Sequence, residues 1–432
     1  MAGQQESFKY VVLGGGNASG YAAREFVKRG TPKGELAIIT DEPYVAYERP
    51  ALSKAYLNPE GAARLPGFHT TVGGGGDKQS PEWYGENGIT YKTKTKVTEA
   101  DVKNKTLKTA DGDSIKYEKL IIATGARPVD LGDFGTKGAD LKGIFYLRNV
   151  EDADKLIAAF PAAKAKGGKA IVVGGGYIGM EVSCGLNKNG LDVTVVFPED
   201  RLMERLFTPE IAEFYESYYL DKGVTLKRGS TVASFEGEDG QVTHAVLKSG
   251  EKLEADLVLV GVGARPNIEL FKGQVELLQD KPGGIKVDGR LRTSDPDVYA
   301  IGDVAAFPLK RYGSVTRQEH VANCRQTAAH AVAAILAPSE TGDYNYLPFF
   351  YSRIYDLGWQ YYGTSNDAEP VFFGDKASKK FGTYFVSEGK VVGAFLEGGS
   401  NDENAALKKV AEQQPDAPAD LASQGLAFAS KL

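Results

Sequence analysis

Lys9-Tyr-Val-Val-Leu13 followed by Gly14-Gly-Gly16-Asn-Ala-Ser19-Gly20 is the stretch that decides the fold. The short apolar run reads as a buried strand. The glycines read as a sharp turn, and Tyr21–Arg29 has helical spacing. In such a unit Gly14 permits the turn and Gly16 lets the backbone approach a pyrophosphate. Small Ser19 lets helix and strand pack closely. The helix start then offers N–H groups and a positive dipole end to a diphosphate. A second strand, Glu35–Thr40, runs into Asp41 and Glu42. An acid at the end of this strand binds a ribose diol; of the two, Glu42 is the choice.

The pattern recurs. Ala170–Val173 leads into Gly174-Gly-Gly176-Tyr-Ile-Gly179, then a helical stretch through Leu186 and a strand at Asp192–Phe197. This turn meets the G-x-G-x-x-G spacing fully, and Glu199 follows Gly179 by 20 residues. A carboxylate there accepts hydrogen bonds from the adenosine hydroxyls and repels a 2′-phosphate, which favours NADH over NADPH. Arg205 nearby softens that preference, since arginine accommodates the phosphate. Each half also closes alike: Leu120–Thr124 enters Gly125-Ala-Arg-Pro128, and Leu257–Val262 enters Gly263-Ala-Arg-Pro266. The second echo points to internal duplication.

Beyond it, Gly283–Asp288 and Val298–Ile301 read as strands, and Asp303 stands where the latter ends in Ile-Gly-Asp. From Tyr344 the pattern changes to short aromatic strands at Phe349–Tyr351, Trp359–Tyr362, Gly382–Val386 and Val391–Leu396. The expected class is therefore α/β: two Rossmann-like dinucleotide-binding domains plus a smaller C-terminal α+β domain. Residues 64–80, with Gly73–Gly76, read as a long flexible loop of the kind that is often functional.

Composition narrows the function classes. The 432 residues carry a net charge of −6, so no basic footprint invites nucleic acid or an anionic membrane. Cys184 and Cys324 are the two cysteines. They exclude a disulfide framework, a cysteine-rich metal site and a local CxxC redox pair, and both read as packing residues. No apolar run approaches the ~20 residues of a spanning helix. The final Ser430-Lys431-Leu432 reads as a peroxisomal address taken up by an import receptor. The expected location is cytoplasmic, peroxisomal or both.

Together, Gly14–Gly20, Ala123-Thr-Gly125, Gly174–Gly179 and Ala300-Ile-Gly-Asp303 resemble the two-dinucleotide flavoprotein disulfide-reductase superfamily. Tyr47-Glu-Arg-Pro-Ala-Leu-Ser-Lys54 resembles its ferredoxin-reductase and apoptosis-inducing-factor-like branch, which lacks the redox CxxxxC. Over nearly its whole length the chain is similar to plant-type monodehydroascorbate reductases. The distinctive runs are Arg64-Leu-Pro-Gly-Phe-His-Thr70, Arg205-Leu-Phe-Thr208, Phe214-Tyr-Glu-Ser-Tyr-Tyr219, Glu319-His-Val321, Tyr351-Ser-Arg353 and Leu357-Gly-Trp-Gln360.

The resemblance implies a discontinuous FAD-binding domain (1–126 and 265–332), an NAD-binding domain (127–264) and a C-terminal domain (333–432). It implies FAD contacts from Gly15, Gly16, Asn17, Ala18, Glu42, Arg49, Lys54, Val97, Arg148, Asn149, Asp303, Val321 and Tyr351. Asn17 and Asn149 stand at variable positions, so main-chain contacts are expected there. NADH contacts would come from Gly175, Gly176, Tyr177, Ile178, Gly179, Met180, Glu181, Glu199, Arg205, Gly263, Glu319, His320 and again Tyr351. Arg325 and Arg353 would face the ascorbyl anion, a role for which arginine is chemically suited. Arg49 and Lys54 would supply positive charge near a reduced flavin. The implied activity is NADH-driven reduction of the monodehydroascorbate radical to ascorbate, with no covalent catalyst and no metal. The competing readings are an NADH-ferredoxin or rubredoxin reductase, and an apoptosis-inducing-factor-like redox sensor. The first needs a basic docking face, against which the net −6 argues.

Overall fold

The structure, a computed structural model, describes residues 4–70 and 75–432. They fall into two compact units. The first contains Met1–Arg49, Arg64–Arg127 and Arg265–Tyr346; the second contains Pro50–Ala63, Pro128–Ala264 and Leu347–Leu432.

In the first unit the opening strand, Gln5–Leu13, pairs in parallel with Leu36–Ile39 on one side and Ser114–Ile122 on the other. Thr90–Lys92 extends one edge and Val298–Ala300 the other, both in parallel. Val11, Val12, Ile38, Ile121 and Val298 are fully or almost fully buried. Strands covered on both faces need such unbroken β-branched runs. The helix Asn17–Lys28 follows the first strand and packs in the same core as the helix Val321–Leu336, through Ala22, Phe26, Ala328 and Val332. The parallel strands deliver Gly14, Thr40, Ala123 and Ile301 to one edge, where ligands bind in open α/β sheets.

The second unit repeats the scheme. Its parallel sheet runs Thr225–Lys227, Asp192–Val196, Lys169–Val173, Leu257–Val260, Ile144–Phe145. The same unit holds a five-stranded antiparallel sheet ordered Phe349–Ile354, Leu357–Gly363, Lys390–Glu397, Lys380–Ser387, Glu369–Asp375. One face of that sheet brings Trp359, Phe381 and Phe395 into a core shared with Phe207, Tyr215 and Tyr219. Phe207 stacks on Tyr215 at 4.9 Å and meets the edge of Trp359 at 5.6 Å. The other face covers Leu407 and Val410 of the helix Asn401–Gln413. The α/β class with a C-terminal α+β portion is thus borne out.

Pro50–Ala63 packs in the second unit: Leu57 joins its core, Tyr56 Oη donates to Asp154 at 2.5 Å, and Asn189 Nδ2 donates to the Leu57 carbonyl at 2.7 Å. The 64–80 stretch, expected to be a flexible loop, is anchored at residues 68–70 and 79, while Arg64, Pro66, Gly67 and residues 75–78 are exposed. Phe68, His69, Thr70 and Gln79 are buried. Glu48 N–H donates to the Phe68 carbonyl at 2.8 Å, Thr70 N–H to Ala46 at 3.2 Å, and Gln79 Nε2 to Gly20 at 2.9 Å. Buried polar groups must find such partners, and these tie the stretch to Ala46, Glu48 and the first helix. Residues 71–74, with Gly73 and Gly74, lie outside the described residues.

Candidate functional site

Among the described residues, six helices run to twelve residues or more. Four of them are capped by a side chain: Asn149, Thr208, His320 and Ser400 accept from N–H groups of the first turn. The two that are not are Asn17–Lys28 and Tyr177–Lys188, which begin at Gly16 and Gly176 with no side-chain cap. Initial N–H groups need partners. Leaving them uncapped at the ligand edge of a parallel sheet suits a diphosphate.

The glycines divide into structural and approach positions. Gly14 has φ +120°, and a Cβ there would sit 2.2 Å from the Ala123 carbonyl oxygen. Gly174 matches it, with φ +119° and 2.3 Å to Gly261 O. Gly15 lies against Thr40 and Gly175 against the Phe197 ring. Gly179 leaves only 2.1 Å to Gly174 O, the close helix–strand packing its place in the motif requires. Ser19 does this work in the first turn and donates Oγ–H to Gly14 O at 2.6 Å. At Gly16, by contrast, a Cβ would meet only the Arg49 guanidinium, at 3.6 Å; at Gly176 it would meet nothing within 4 Å. Both backbones are open to an approaching group.

Around the first turn the side chains form one network. Glu42 pairs with Arg49, and Tyr47 Oη donates to Glu42 Oε2 at 2.6 Å. Arg49 Nη1 donates to Tyr47 Oη at 2.8 Å. Asp303 follows Gly302, whose Cβ position is 3.1 Å from Ala18; the Cys324 thiol donates to Asp303 Oδ1 at 3.3 Å. An uncapped N-terminus, an open glycine, a guanidinium and two strand-end acids fit the diphosphate and polyol of FAD.

Other implied FAD residues are placed as follows. Val97 is buried at the start of the strand Val97–Asp101, and Val321 begins its helix. Asn149 spends its side chain on a capping box with Asp152, and the Arg148 N–H also donates to Asp152. Lys54 and Tyr351 lie in the second unit, with Lys54 Nζ 5.8 Å from the Tyr351 ring centroid.

The second turn has a different surround. Tyr177, Ile178, Gly179 and Met180 form the first turn of the uncapped helix, and Gly175 O accepts from Met203 N at 3.0 Å. Glu199 is half-buried just beyond the strand Asp192–Val196; Arg205 is exposed. Gly263, with φ +115°, accepts from Val129 N at 3.0 Å. Glu181, expected at the NADH, has a side chain with protein partners of its own. Its side chain is 1% exposed and takes Lys54 Nζ at 2.7 Å, Ser53 Oγ at 2.5 Å and Ser352 Oγ at 2.5 Å. The residue five places past Gly176 faces these groups because helical periodicity turns it there.

Glu319 pairs with Arg317, and His320 caps its helix through Nδ1, which accepts from Ala322 N at 3.2 Å. Arg353 is exposed on Phe349–Ile354, while Arg325 lies in the first unit, paired with Glu48 at 3.2 Å. Glu48 and Tyr21 hold Arg325; no local sequence signal marks either for this role, although Glu48 adjoins Arg49 in the Tyr47–Lys54 run. Both cysteines are buried, and the Tyr355 N–H donates to Cys184 Sγ at 3.2 Å. Burial pushes the Cys184 thiol up from its ordinary pKa, away from the reactive thiolate.

Residues 8–334 match the model of the pyridine nucleotide-disulphide oxidoreductase family, and residues 347–429 that of the monodehydroascorbate reductase 3-like C-terminal domain. A monodehydroascorbate reductase of Solanum lycopersicum is 55% identical, covering 99% of this chain and all of its own. Monodehydroascorbate reductase 1 of Arabidopsis thaliana, a peroxisomal form, is also 55% identical, with the same coverage. The solved structure of a ferredoxin reductase from Rhodopseudomonas palustris superposes with a TM-score of 0.85 at 29% identity, over 98% of this chain and 99% of that one. With both glycine turns, the intervening strands and the C-terminal sheet accounted for, the chain belongs to the monodehydroascorbate reductases within the pyridine nucleotide-disulphide oxidoreductase family.

Proposed function

We propose that the chain is an NADH-dependent FAD enzyme that reduces the monodehydroascorbate radical to ascorbate. The observation that carries this is the pair of uncapped, glycine-opened helix starts, in a chain 55% identical end to end to enzymes of that name. One NADH and one proton convert two radical anions to two ascorbate anions, leaving NAD+. Bound FAD supplies the exchange between two-electron and one-electron chemistry.

The chain's own part is binding and charge placement. Gly15, Gly16, Asn17 and Ala18 offer backbone to the FAD diphosphate, with Arg49 beside Gly16 as the cation. Glu42 serves the adenosine ribose and Asp303 the ribityl chain. Val97, Arg148, Asn149 and Val321 complete that set, with Lys54 and Tyr351. Gly175 to Met180 receive the NADH diphosphate, Glu199 reads the 2′- and 3′-hydroxyls, and Arg205, Gly263, Glu319 and His320 add further contacts. Glu181 acts through Lys54, whose ammonium it fixes. Arg325 and Arg353 attract the substrate anion. Ser430, Lys431 and Leu432 are exposed, and a peroxisomal import receptor is the partner proposed for them.

The test generates ascorbyl radical enzymatically and follows NADH oxidation by the flavin-loaded protein. Radical-dependent acceleration is expected; its absence sinks the proposal. Faster electron delivery to a ferredoxin than to the radical would favour the second reading, to which the ferredoxin reductase likeness lends weight. Arg325→Ala should raise the KM for the radical on the order of tenfold, the usual consequence of losing a charge-assisted contact. Flavin reduction by NADH, followed alone in a stopped-flow experiment, is the control. Should that half-reaction fail instead, Arg325 serves the nicotinamide side.

A further inference from the structure

Glu48 is buried, yet three side chains far from it in sequence converge on its carboxylate. Asn17 Nδ2 donates to Oε2 at 2.6 Å, Tyr21 Oη donates to Oε1 at 2.6 Å, and Arg325 Nη2 donates to Oε2 at 3.2 Å. Arg325 also lies over the Tyr21 ring, with its guanidinium carbon 5.2 Å from the centroid. The guanidinium is therefore held by two groups, the Glu48 carboxylate and the Tyr21 ring. Tyr21 is itself held by Glu48, so the aromatic platform and the carboxylate are one assembly. Burial and the Glu48 charge both push the Tyr21 phenol above its ordinary pKa, which keeps it protonated as the donor.

The assembly has a second end. Asn17, in the first turn of the helix at the first glycine turn, donates to Glu48 and accepts from Arg49 N–H at 3.1 Å. One buried carboxylate thus ties the flavin-binding turn to the arginine assigned to the substrate. Stability alone does not account for this. Well-packed apolar side chains of similar volume often serve as well as or better than a buried ion pair. What the ion pair adds is direction.

We infer that Glu48 is a positioning residue for Arg325: with Tyr21 as platform, it sets the orientation in which the arginine receives the anionic substrate and fixes it relative to the flavin-binding turn. The inference rests on the reading of Arg325 as the substrate arginine. Glu48 touches neither substrate nor cofactor in this role. Its removal acts through a guanidinium that is present but free to swing.

Glu48→Gln keeps size and removes charge, and Tyr21→Phe keeps the ring and removes one donor to the carboxylate. Both are measured in the flavin-loaded protein for radical KM and kcat, and for flavin reduction by NADH without radical. Glu48→Gln should raise the radical KM about fivefold, with kcat and flavin reduction within about twofold of the parent. In an Arg325→Ala background the same substitution should add less than about twofold, because its effect passes through the arginine. Tyr21→Phe should raise KM about twofold, and it carries the test if Glu48→Gln fails to fold. Equal effects of Glu48→Gln in the two backgrounds, or a parallel loss of flavin reduction, would overturn the inference in favour of a general structural role. If Arg325→Ala raises KM and Glu48→Gln does not, the inference alone falls. If Arg325→Ala itself changes nothing, the reading of Arg325 falls and takes the inference with it.

Discussion

Gly16→Ala should give a folded protein that has lost its flavin. The backbone at Gly16 is extended, with φ −83° and ψ −172°, a conformation any residue adopts. The added methyl would meet nothing in the protein closer than the Arg49 guanidinium, at 3.6 Å. Alanine is a poorer N-cap than glycine, so the apoprotein should unfold within about 1 kcal/mol of the parent. The methyl instead occupies the approach to the helix start. Pushing a diphosphate back by about 1 Å weakens several charged hydrogen bonds at once, each worth roughly 1.5–3 kcal/mol. FAD affinity should fall by at least about a hundredfold, read as flavin absorbance per protein after dialysis. Gly14→Ala is the contrast. It forces a side chain onto φ +120° and within 2.2 Å of Ala123 O, so it should lower stability as well as flavin content. Normal flavin content in Gly16→Ala would show that the open glycine does not face the cofactor.

The glycine turns were legible because their constraints are local. A positive φ at Gly14 and Gly174, and tight packing at Gly179, are imposed within a few residues of sequence. The strand C-termini follow from the parallel arrangement, so spacing puts Glu42 and Glu199 at strand ends, whereas the role given to Asp303 rests on the family resemblance. Glu48 could not. Its partners lie 31, 27 and 277 residues away, and nothing local marks a glutamate as the hub of a buried network. Glu181 comes from the family resemblance alone, and the partners of its side chain, Lys54 and Ser352, the latter 171 residues distant, carry no local signal either. The glycines of the 64–80 stretch predict a flexible loop, and the burial of Phe68 and Gln79, which anchors it at two points, is decided by tertiary contacts. The substrate arginines rest on family resemblance, since an arginine on a helix or strand carries no local sign of what it faces.

Glu199→Ala should change the choice of nicotinamide cofactor more than any other side chain of the second turn. Glu199 lies just past the strand Asp192–Val196, and its carbonyl accepts from Gly229 N at 3.0 Å, which fixes the backbone there. Two arginines near it in sequence or across this contact, Arg201 and Arg228, are already committed: both pair with the buried Glu216, at 2.7 and 3.0 Å. Arg205 is exposed. On the proposed reading the strand end sets a carboxylate against a 2′-phosphate, while Arg201 and Arg228 are held by Glu216. Two unit charges about 4 Å apart interact by about 4 kcal/mol at an effective dielectric of 20, and by about 1 kcal/mol in water. Half-buried Glu199 lies between these limits, so relieving the repulsion is worth roughly 2 kcal/mol to NADPH. Losing its hydrogen bonds to the ribose hydroxyls costs NADH about 1 kcal/mol. The ratio of kcat/KM for NADPH to that for NADH should rise on the order of a hundredfold, each measured with saturating radical. Glu199→Gln separates the two terms, because it removes the charge and keeps an acceptor. It should show most of the gain for NADPH and little of the loss for NADH. An unchanged ratio in both variants would show that the ribose is read elsewhere.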